Sequence, residues 1–197
     1  MKILLNGRSG KVGSVLAPGL EKNGHTLVET LHDAEAMVDF TAPEAALANV
    51  EAAVAVGVPS VVGTSGWDVD AVRDAPVSVF YAPNFALGAV LMMRFAEQAA
   101  KYLPNAEIVE LHHATKVDAP SGTAKATAAR MGDVPIHSVR LPGLVAHQEV
   151  ILGGSGQTLT IRHDTSSRDA FVPGVLLALS KLHELPPGVR VGLEHLL

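Results

Sequence analysis

The chain has 197 residues, enough for one domain with a substantial core or for two small ones. Its formal net charge of −5 argues against a nucleic-acid binder that relies on a basic surface. Cysteine is absent, which excludes disulfides and thiolate metal sites. Nearly half of the residues are hydrophobic but few are aromatic, so the core must consist mainly of Ala, Val and Leu, as suits an α/β fold.

Short apolar segments alternate with helical segments in the first half of the chain. The predicted strands cover residues 2–6, 26–31, 37–41, 60–62 and 77–81. One predicted helix ends near Gly24, with Pro18 expected to kink or shorten it, and another runs from Pro43 to about Val56. Strands that alternate with helices predict right-handed crossovers and a parallel sheet.

The pattern changes after residue 85. Helices are predicted at 88–102 and 123–131 with a strand at 106–112 between them. Strands at 136–140, 148–152 and 158–163 then follow without intervening helices, which favours an antiparallel or mixed sheet. A last helix at 171–183 is expected to return to the first sheet. The predicted fold is therefore α/β, with a Rossmann-like parallel-sheet nucleotide-binding domain (residues 1–85 and 168–197) and a smaller α+β substrate domain with a mixed sheet (residues 86–167).

Three glycines follow the first predicted strand and open a helix. Gly7, Gly10 and Gly13 stand in the context of a dinucleotide-binding fingerprint, in which glycine lets the backbone approach a pyrophosphate at the helix N-terminus. Ser9 stands where the common fingerprint has its second glycine, so an ordinary strand-to-helix turn is the alternative. Val12 stands where a Walker-type loop has its metal-binding hydroxyl, and such a loop is a poor match.

Other predicted cofactor contacts lie at strand ends. An acidic residue that binds the ribose is expected at the end of the second strand, where His32 stands; Asp33 follows it, and Glu29 is a weaker candidate. The choice between NAD and NADP stays open. The turns at 63–64 and 83–84 follow the fourth and fifth strands, at the sheet edge where ligands bind in open α/β folds.

Residues 110–124 read Glu-Leu-His-His-Ala-Thr-Lys-Val-Asp-Ala-Pro-Ser-Gly-Thr-Ala. Proton donors therefore precede a predicted helix start, with Ser121 as its N-cap, which suits a substrate with carboxylates. Adjacent strand residues such as His112 and His113 point to opposite faces, so we expect no metal site. The alternatives are a structural histidine, an Asp118 that only pairs with Lys116, and a plain helix cap.

This segment closely resembles the signature of the dihydrodipicolinate reductases. Residues 7–13, 39–41, 63–66, 82–85 and 166–168 are also similar to family segments, in the family's order. The resemblance implies reduction of a cyclic 4-hydroxy dicarboxylate to tetrahydrodipicolinate in lysine (diaminopimelate) biosynthesis, with NADH or NADPH as cofactor. It further implies a homotetramer built through the sheet of the smaller domain.

The resemblance also implies roles for individual residues. His112 would be the proton donor or acceptor and Lys116 the proton donor, while His113, Gly122 and Thr123 would bind the substrate. The expected cofactor-binding residues are Gly7, Arg8, Ser9, Gly10, Lys11, Val12, Asp33, Gly63, Thr64, Ser65, Ala82, Pro83, Asn84 and Phe85.

The chain departs from the family in two places. It is shorter between residues 31 and 37 and between residues 131 and 136, and His32 replaces the usual acidic residue of the ribose site. Two other functions compete with the reductase: another nicotinamide-linked reductase of an imine or carbonyl acid, and a nucleotide-sensing module that has lost catalysis. The second would need a damaged proton-donor cluster, yet His112 and Lys116 are both present.

The expected location is the cytoplasm, without membrane contact. Residues 1–6 run directly into the glycine-rich turn and leave no room for a cleavable leader. The apolar run at 52–58 is too short to span a bilayer.

Overall fold

The computed structural model describes residues 1–197, and the contacts within it divide the chain into two units. Unit 1 comprises residues 1–87 and 168–197, and unit 2 comprises residues 88–167. In chain order the strands and helices are β1 Lys2–Asn6, α1 Gly13–Lys22, β2 Thr26–Val28, β3 Ala36–Asp39, α2 Pro43–Ala55, β4 Ser60–Val62, β5 Ser78–Tyr81, α3 Leu87–Ala100, β6 Asn105–His112, α4 Gly122–Arg130, β7 Ile136–Arg140, β8 Ala146–Gly154, β9 Gln157–Thr165, α5 Val172–Lys181 and β10 Gly188–Val191. No helix combines the length and the apolar character that crossing a membrane requires.

Unit 1 is built on a six-stranded sheet with the order β10-β5-β4-β3-β1-β2, and every neighbouring pair in it is parallel. The predicted Rossmann-like parallel sheet is therefore confirmed. The strands β3 and β4 are buried along their whole length, as apolar strands covered on both faces should be. Met37 and Val79 pack with Trp67 in the core of this unit.

Two strand predictions in unit 1 were wrong. The strand β2 ends at Val28 rather than at residue 31, because Thr30 and Asp33 form a local turn in which the Thr30 hydroxyl donates to Asp33 at 2.7 Å. The strand β10 was missed. It has four residues at the sheet edge, it follows two prolines, and the exposed Arg190 and Val191 give it no apolar alternation. Pro18 lies inside α1 without ending that helix.

Unit 2 contains a four-stranded sheet with the order β7-β6-β8-β9. The strands β6 and β7 are parallel and the other two pairs are antiparallel, so the predicted mixed sheet is confirmed. One face of the sheet is covered by helix residues, with Ile108, Val150 and Leu152 packed against Ala96 and Ala124. The helix α4 thus packs on this face of the sheet.

Glycines shape the turn between β1 and α1. Gly7 has a positive φ of 80°, and a Cβ atom there would overlap the carbonyl group of Phe40. A Cβ atom at Gly13 would overlap the carbonyl group of Gly7. The first turn of α1 therefore lies directly against the end of β1, which is the close helix–strand packing expected of a dinucleotide-binding turn.

We expect Gly13→Ala to destabilise unit 1, because overpacking a tight contact costs about 1–3 kcal/mol and the better helix propensity of Ala returns at most about 1 kcal/mol. Thermal denaturation should show a lower midpoint than in the wild type. Gly153→Ala is the matched control, since its Cβ would lie 3.9 Å from the Asn105 oxygen, an ordinary contact. Equal midpoints for the two variants would contradict the close packing.

Candidate active site

The loops that follow β1, β3 and β4 line a cavity of about 410 Å³ in unit 1. These three strands are neighbours in the parallel sheet, so their carboxyl ends meet at one edge. The residues that line the cavity are Gly10, Lys11, Val12, Phe40, Thr41, Pro43, Gly63, Thr64 and Ser65. Six of the predicted cofactor-binding residues are thus brought together in one cavity.

The cavity includes the N-terminus of α1, where an anion can bind. No side chain caps this helix, and its first turn follows a turn in which the Gly10 amide donates to the Gly7 carbonyl at 2.8 Å. Helix amides without a side-chain cap suit a phosphate group. At the end of β4, Gly63 lies against the ring of Phe40, where a Cβ atom would overlap the ring. These features fit a dinucleotide.

A buried carboxylate, missed by sequence reasoning, holds two of the cavity loops. Asp39 is fully buried at the end of β3. Its Oδ1 accepts from the Thr41 hydroxyl at 2.8 Å and the Thr64 hydroxyl at 2.7 Å, and its Oδ2 accepts from the Asn49 amide at 2.7 Å. The Thr41 backbone N–H also donates to Asp39 and to Thr64. The only sequence signal was an acidic residue at the end of an otherwise apolar strand.

The end of β2 differs from the expectation that placed His32 there. Because β2 ends at Val28, the residue that follows it is Glu29, whose side chain is 85% exposed. The guanidinium of Arg8 lies 3.4 Å from Glu29 and 3.8 Å from Glu21. His32 and Asp33 belong to a 3₁₀ turn further along the chain. The end of β2 thus carries an acidic residue, but this residue is Glu29, the weaker candidate of the sequence analysis.

The loop after β5 is fixed by packing. Phe85 is almost completely buried, with its ring centroid 5.5 Å from that of Phe40 and 6.2 Å from that of Phe80. The Ala86 N–H donates to the Asn84 side chain at 2.9 Å. Pro83 is exposed and Asn84 is half-buried, so these two residues are the accessible part of the predicted cofactor loop.

In unit 2, the signature segment runs from the end of β6 through a loop to the N-terminus of α4. Ser121 is the N-cap of this helix, as predicted, and its hydroxyl accepts from the Ala124 N–H at 3.2 Å. Gly122 is exposed, with no other atom within 4 Å of the place a Cβ would take, and Thr123 is half-buried. Gly122 is therefore accessible at the N-terminus of α4, a position where backbone amides can receive a ligand carboxylate.

A fully buried glutamate lies beneath this segment. Glu110 is paired with Arg140 through two hydrogen bonds, at 2.7 and 2.9 Å, and accepts from the Ser121 N–H at 3.3 Å. It is also bonded to Nδ1 of His112. Burial by itself raises the pKa of Glu110, but the bonds from Arg140, Ser138 and His112 outweigh it and lower this pKa to about 2. Sequence reasoning did not identify this pair.

His112 is a neutral imidazole near pH 7. Burial lowers its pKa, and Lys116 and Arg140 lower it further, against the opposing effect of Glu110. Because the ionised Glu110 can only accept a hydrogen bond, it pairs with Nδ1–H, and Nε2 is the nitrogen left with a free lone pair. His112 can therefore accept a proton or a hydrogen bond through Nε2.

Lys116 is mostly buried and its ammonium lies 2.7 Å from Asp118. The hydrogen bond from Lys116 is the main reason that the pKa of Asp118 is lowered. The pairing considered as an alternative is therefore present, on the same loop as the candidate donor. His113 directly follows β6, is exposed and is bonded to the Thr115 hydroxyl at 2.8 Å. The structure contains no group of three or more His, Asp or Glu side chains placed to hold a metal ion.

Comparison with known proteins finds two models of one family that together match most of the chain. Residues 20–85 match the family model described as "Dihydrodipicolinate reductase, N-terminus", and residues 88–197 match "Dihydrodipicolinate reductase, C-terminus". The chain is 50% identical to the 4-hydroxy-tetrahydrodipicolinate reductase of Moorella thermoacetica over 195 aligned positions, covering 83% of this chain and 73% of the relative.

Two further relatives cover the whole chain. The 4-hydroxy-tetrahydrodipicolinate reductase of Mycolicibacterium vanbaalenii is 43% identical over 243 aligned positions that include 100% of this chain and 99% of the relative. Because that alignment exceeds 197 residues, the chain is shorter than this relative. The dipicolinate-bound dihydrodipicolinate reductase of Paenisporosarcina sp. TG-14 superposes with a TM-score of 0.88 at 29% identity, covering 100% of this chain and 99% of that one.

We expect Asp39→Ala to lower the free energy of unfolding by about 2–4 kcal/mol, because it leaves several donors of the cavity loops unpaired. Nucleotide affinity should fall with it, since the loops at Thr41 and Thr64 lose their common acceptor. Asn49→Ala is the control: it removes one donor and should cost only about 1 kcal/mol. Urea denaturation and a fluorescence titration with NADH measure both effects. Equal losses in the two variants would refute the role given to Asp39.

Proposed function

The chain belongs to the dihydrodipicolinate reductase family, and from that membership we infer that it reduces 4-hydroxy-tetrahydrodipicolinate to tetrahydrodipicolinate with a nicotinamide nucleotide, a step of lysine biosynthesis through diaminopimelate. The net reaction replaces a ring hydroxyl by hydrogen, so a hydride and a proton enter and water leaves. The observation that carries this function is the cluster in unit 2, where a neutral imidazole, an ammonium and the N-terminal amides of α4 lie along a single segment.

Unit 1 is the part of the chain that we propose holds the nucleotide, which is NADH or NADPH and supplies the hydride when bound. The glycine turn from Gly7 to Val12 receives the pyrophosphate, and the loops at Gly63 to Ser65 and Ala82 to Phe85 hold the rest of the cofactor. The support is the cavity of about 410 Å³ at the carboxyl edge of the sheet, together with the uncapped start of α1. Asp33 lies beyond the strand end, and we propose that Glu29 takes the ribose hydroxyl in its place.

Unit 2 is the part that we propose holds the cyclic dicarboxylate. The amides of Gly122 and Thr123 receive one carboxylate, because a helix N-terminus supplies oriented donors without mobile side chains. His113 is exposed on the same segment, and we propose it as a further contact to this ligand. The Paenisporosarcina relative was solved with dipicolinate, a planar diacid of the same class, bound.

The proton chemistry follows from the charge states. Hydride addition to a conjugated imine builds negative charge, which a nearby cation can neutralise by giving a proton. Lys116 carries that positive charge and is our proton donor. His112, neutral at pH 7, is the acceptor, and its Nε2 can orient or exchange a proton with the reacting ring. Of the two roles that the resemblance implies for His112, we therefore propose the acceptor.

We also propose a homotetramer in the cytoplasm. The face of the unit 2 sheet that lacks helices bears ion pairs rather than a covering layer. Arg162 lies 2.9 Å from Glu149 and 3.0 Å from Asp164, and His147 lies 2.6 Å from Asp164. Light scattering of the purified protein measures the assembly.

Replacing the proton donor tests the function directly. Lys116→Ala should lower kcat about 100-fold, the usual scale for a lost acid catalyst, in an assay of NADH or NADPH oxidation at 340 nm with substrate generated in situ. Lys101→Ala, which removes an exposed lysine bonded only to Gln98, should retain wild-type activity. Full activity of the Lys116 variant would remove this residue as donor, and no turnover by the wild type would favour a different reductase or a nucleotide sensor.

Glu29 should set the cofactor preference. A carboxylate at the strand end accepts from the ribose hydroxyl of NADH and repels the 2′-phosphate of NADPH. We expect Glu29→Ala to raise the ratio of kcat/KM for NADPH over NADH roughly tenfold, since like-charge repulsion near a surface is of order 1–4 kcal/mol. Glu21→Ala frees Arg8 from its other carboxylate and should leave the ratio unchanged. If both variants change the ratio equally, the effect comes from Arg8 and not from Glu29.

A further inference from the structure

Glu110 is buried where an unpaired carboxylate would be costly. Its side chain is fully inaccessible, and each of its oxygens has a partner from Arg140. A buried charge is tolerated only when it is paired and its remaining lone pairs are satisfied. The side chain of Ser138 on β7 also bonds to it, and the other two partners are Nδ1 of His112 and the backbone N–H of Ser121. Both lie in the signature segment, on either side of the loop that carries Lys116.

The strand pairing brings these groups together. Glu110 and His112 are two apart on β6, so their side chains share one face of the sheet. The parallel register of β6 and β7 pairs His112 with Arg140, which brings the guanidinium alongside both residues. The geometry therefore depends on β7, which lies outside the signature segment.

Arg140 also holds the loop. It donates to the Asp118 carbonyl at 2.7 Å, and the next residue, Leu141, donates to the His112 carbonyl at 3.1 Å. One ion pair thus fixes both the imidazole and the loop that carries the candidate proton donor.

From this geometry we propose that Glu110, held by Arg140, is a positioning residue: it keeps His112 in the Nδ1–H tautomer, directs Nε2 to the substrate, and anchors the N-terminus of α4. The proposal rests on the function given above, in which His112 exchanges a proton with the substrate. It assigns no contact between Glu110 and the ligand. An ionised carboxylate can only accept, so it selects the tautomer that donates through Nδ1.

The charged groups around His112 determine the direction in which its pKa moves when the charge of Glu110 is removed. Glu110 on β6 is the one anion bonded to the imidazole, and it raises the pKa of His112. Arg140 on β7 and Lys116 on the loop are cations and lower it. Asp118 is engaged with Lys116, and the residue paired with Glu110 on β8 is the neutral Gln148. Removing the charge of Glu110 must therefore lower the pKa of His112.

The first test reads the tautomer without any assay of activity. Protein labelled with ¹⁵N-histidine is examined by long-range ¹H–¹⁵N correlation, with the His112 signals assigned by His112→Gln. We expect the Nδ1–H tautomer in the wild type. In Glu110→Gln the amide can donate to Nδ1, so we expect the Nε2–H tautomer to appear. A wild-type His112 in the Nε2–H form, or an unchanged tautomer in the variant, would overturn the proposal.

The second test uses kinetics. Glu110→Gln should lower kcat by about 30- to 100-fold, the scale of a lost orienting partner, with KM for the nucleotide within twofold of the wild type. The acid limb of the kcat/KM profile should move to lower pH. Glu107→Gln is the matched control, because Glu107 lies on the same strand and pairs with His137 at 2.8 Å, but both groups are exposed. That variant should keep wild-type kcat and the wild-type profile.

A purely structural role for Glu110 predicts a loss of folded protein with no movement of the acid limb, and that result would refute the proposal. Should Glu110→Gln fail to fold, Arg140→Lys keeps the cation but loses the two-pronged contact. This variant should lower kcat and populate the Nε2–H tautomer of His112. A wild-type histidine spectrum together with a wild-type pH profile of kcat/KM would contradict the proposal. If the wild type lacks reductase activity, the proposed function fails, while the tautomer measurement still decides the role of Glu110.

Discussion

The ion pair of Glu110 with Arg140 is the interaction on which the candidate site depends. A carboxylate removed from water loses its hydration, and its partner must restore that loss through good geometry and further hydrogen bonds. Buried pairs of this kind add little net stability, but they tolerate few arrangements. Here the permitted arrangement aligns β6 with β7, orients His112 and fixes the start of α4. The pair therefore restricts the geometry of the site rather than simply strengthening the fold.

Unit 1 also contains a buried carboxylate, but this one has no cationic partner. Asp39 is as fully buried as Glu110, yet its partners are hydroxyl and amide groups of Thr41, Thr64 and Asn49. Neutral donors hold a carboxylate without adding positive charge beside it. The cavity where we propose that a nucleotide binds is lined by the glycine turn, with Lys11, and by the loops that Asp39 holds. In both units a buried acid at or near a strand end sets the loops that carry the function.

Sequence reasoning succeeded where the signal was local. The alternation of strands and helices predicted the parallel sheet, and the Ser-Gly-Thr turn predicted the cap of α4, because each pattern lies within a few residues. It failed where the determinant was distant in sequence. The strand β10 is recognisable only through its pairing with β5, and Arg140 becomes a site residue only through the register of β6 with β7. The family resemblance named His112 and Lys116 but contained no information on what holds them.

The negative net charge of the chain does not prevent it from binding an anionic substrate. A net charge of −5 opposes a dicarboxylate at long range, but salt screens exposed charges over about 8 Å at physiological ionic strength. In the site that we propose, affinity is then set by the groups nearest the ligand, which are the ammonium of Lys116 and the amides of α4. A protonated His112 would add a second cation, but burial keeps it neutral. The mechanism that we propose thus has one charged donor, Lys116, and one neutral acceptor, His112, in the same segment, as the addition of a hydride and a proton requires.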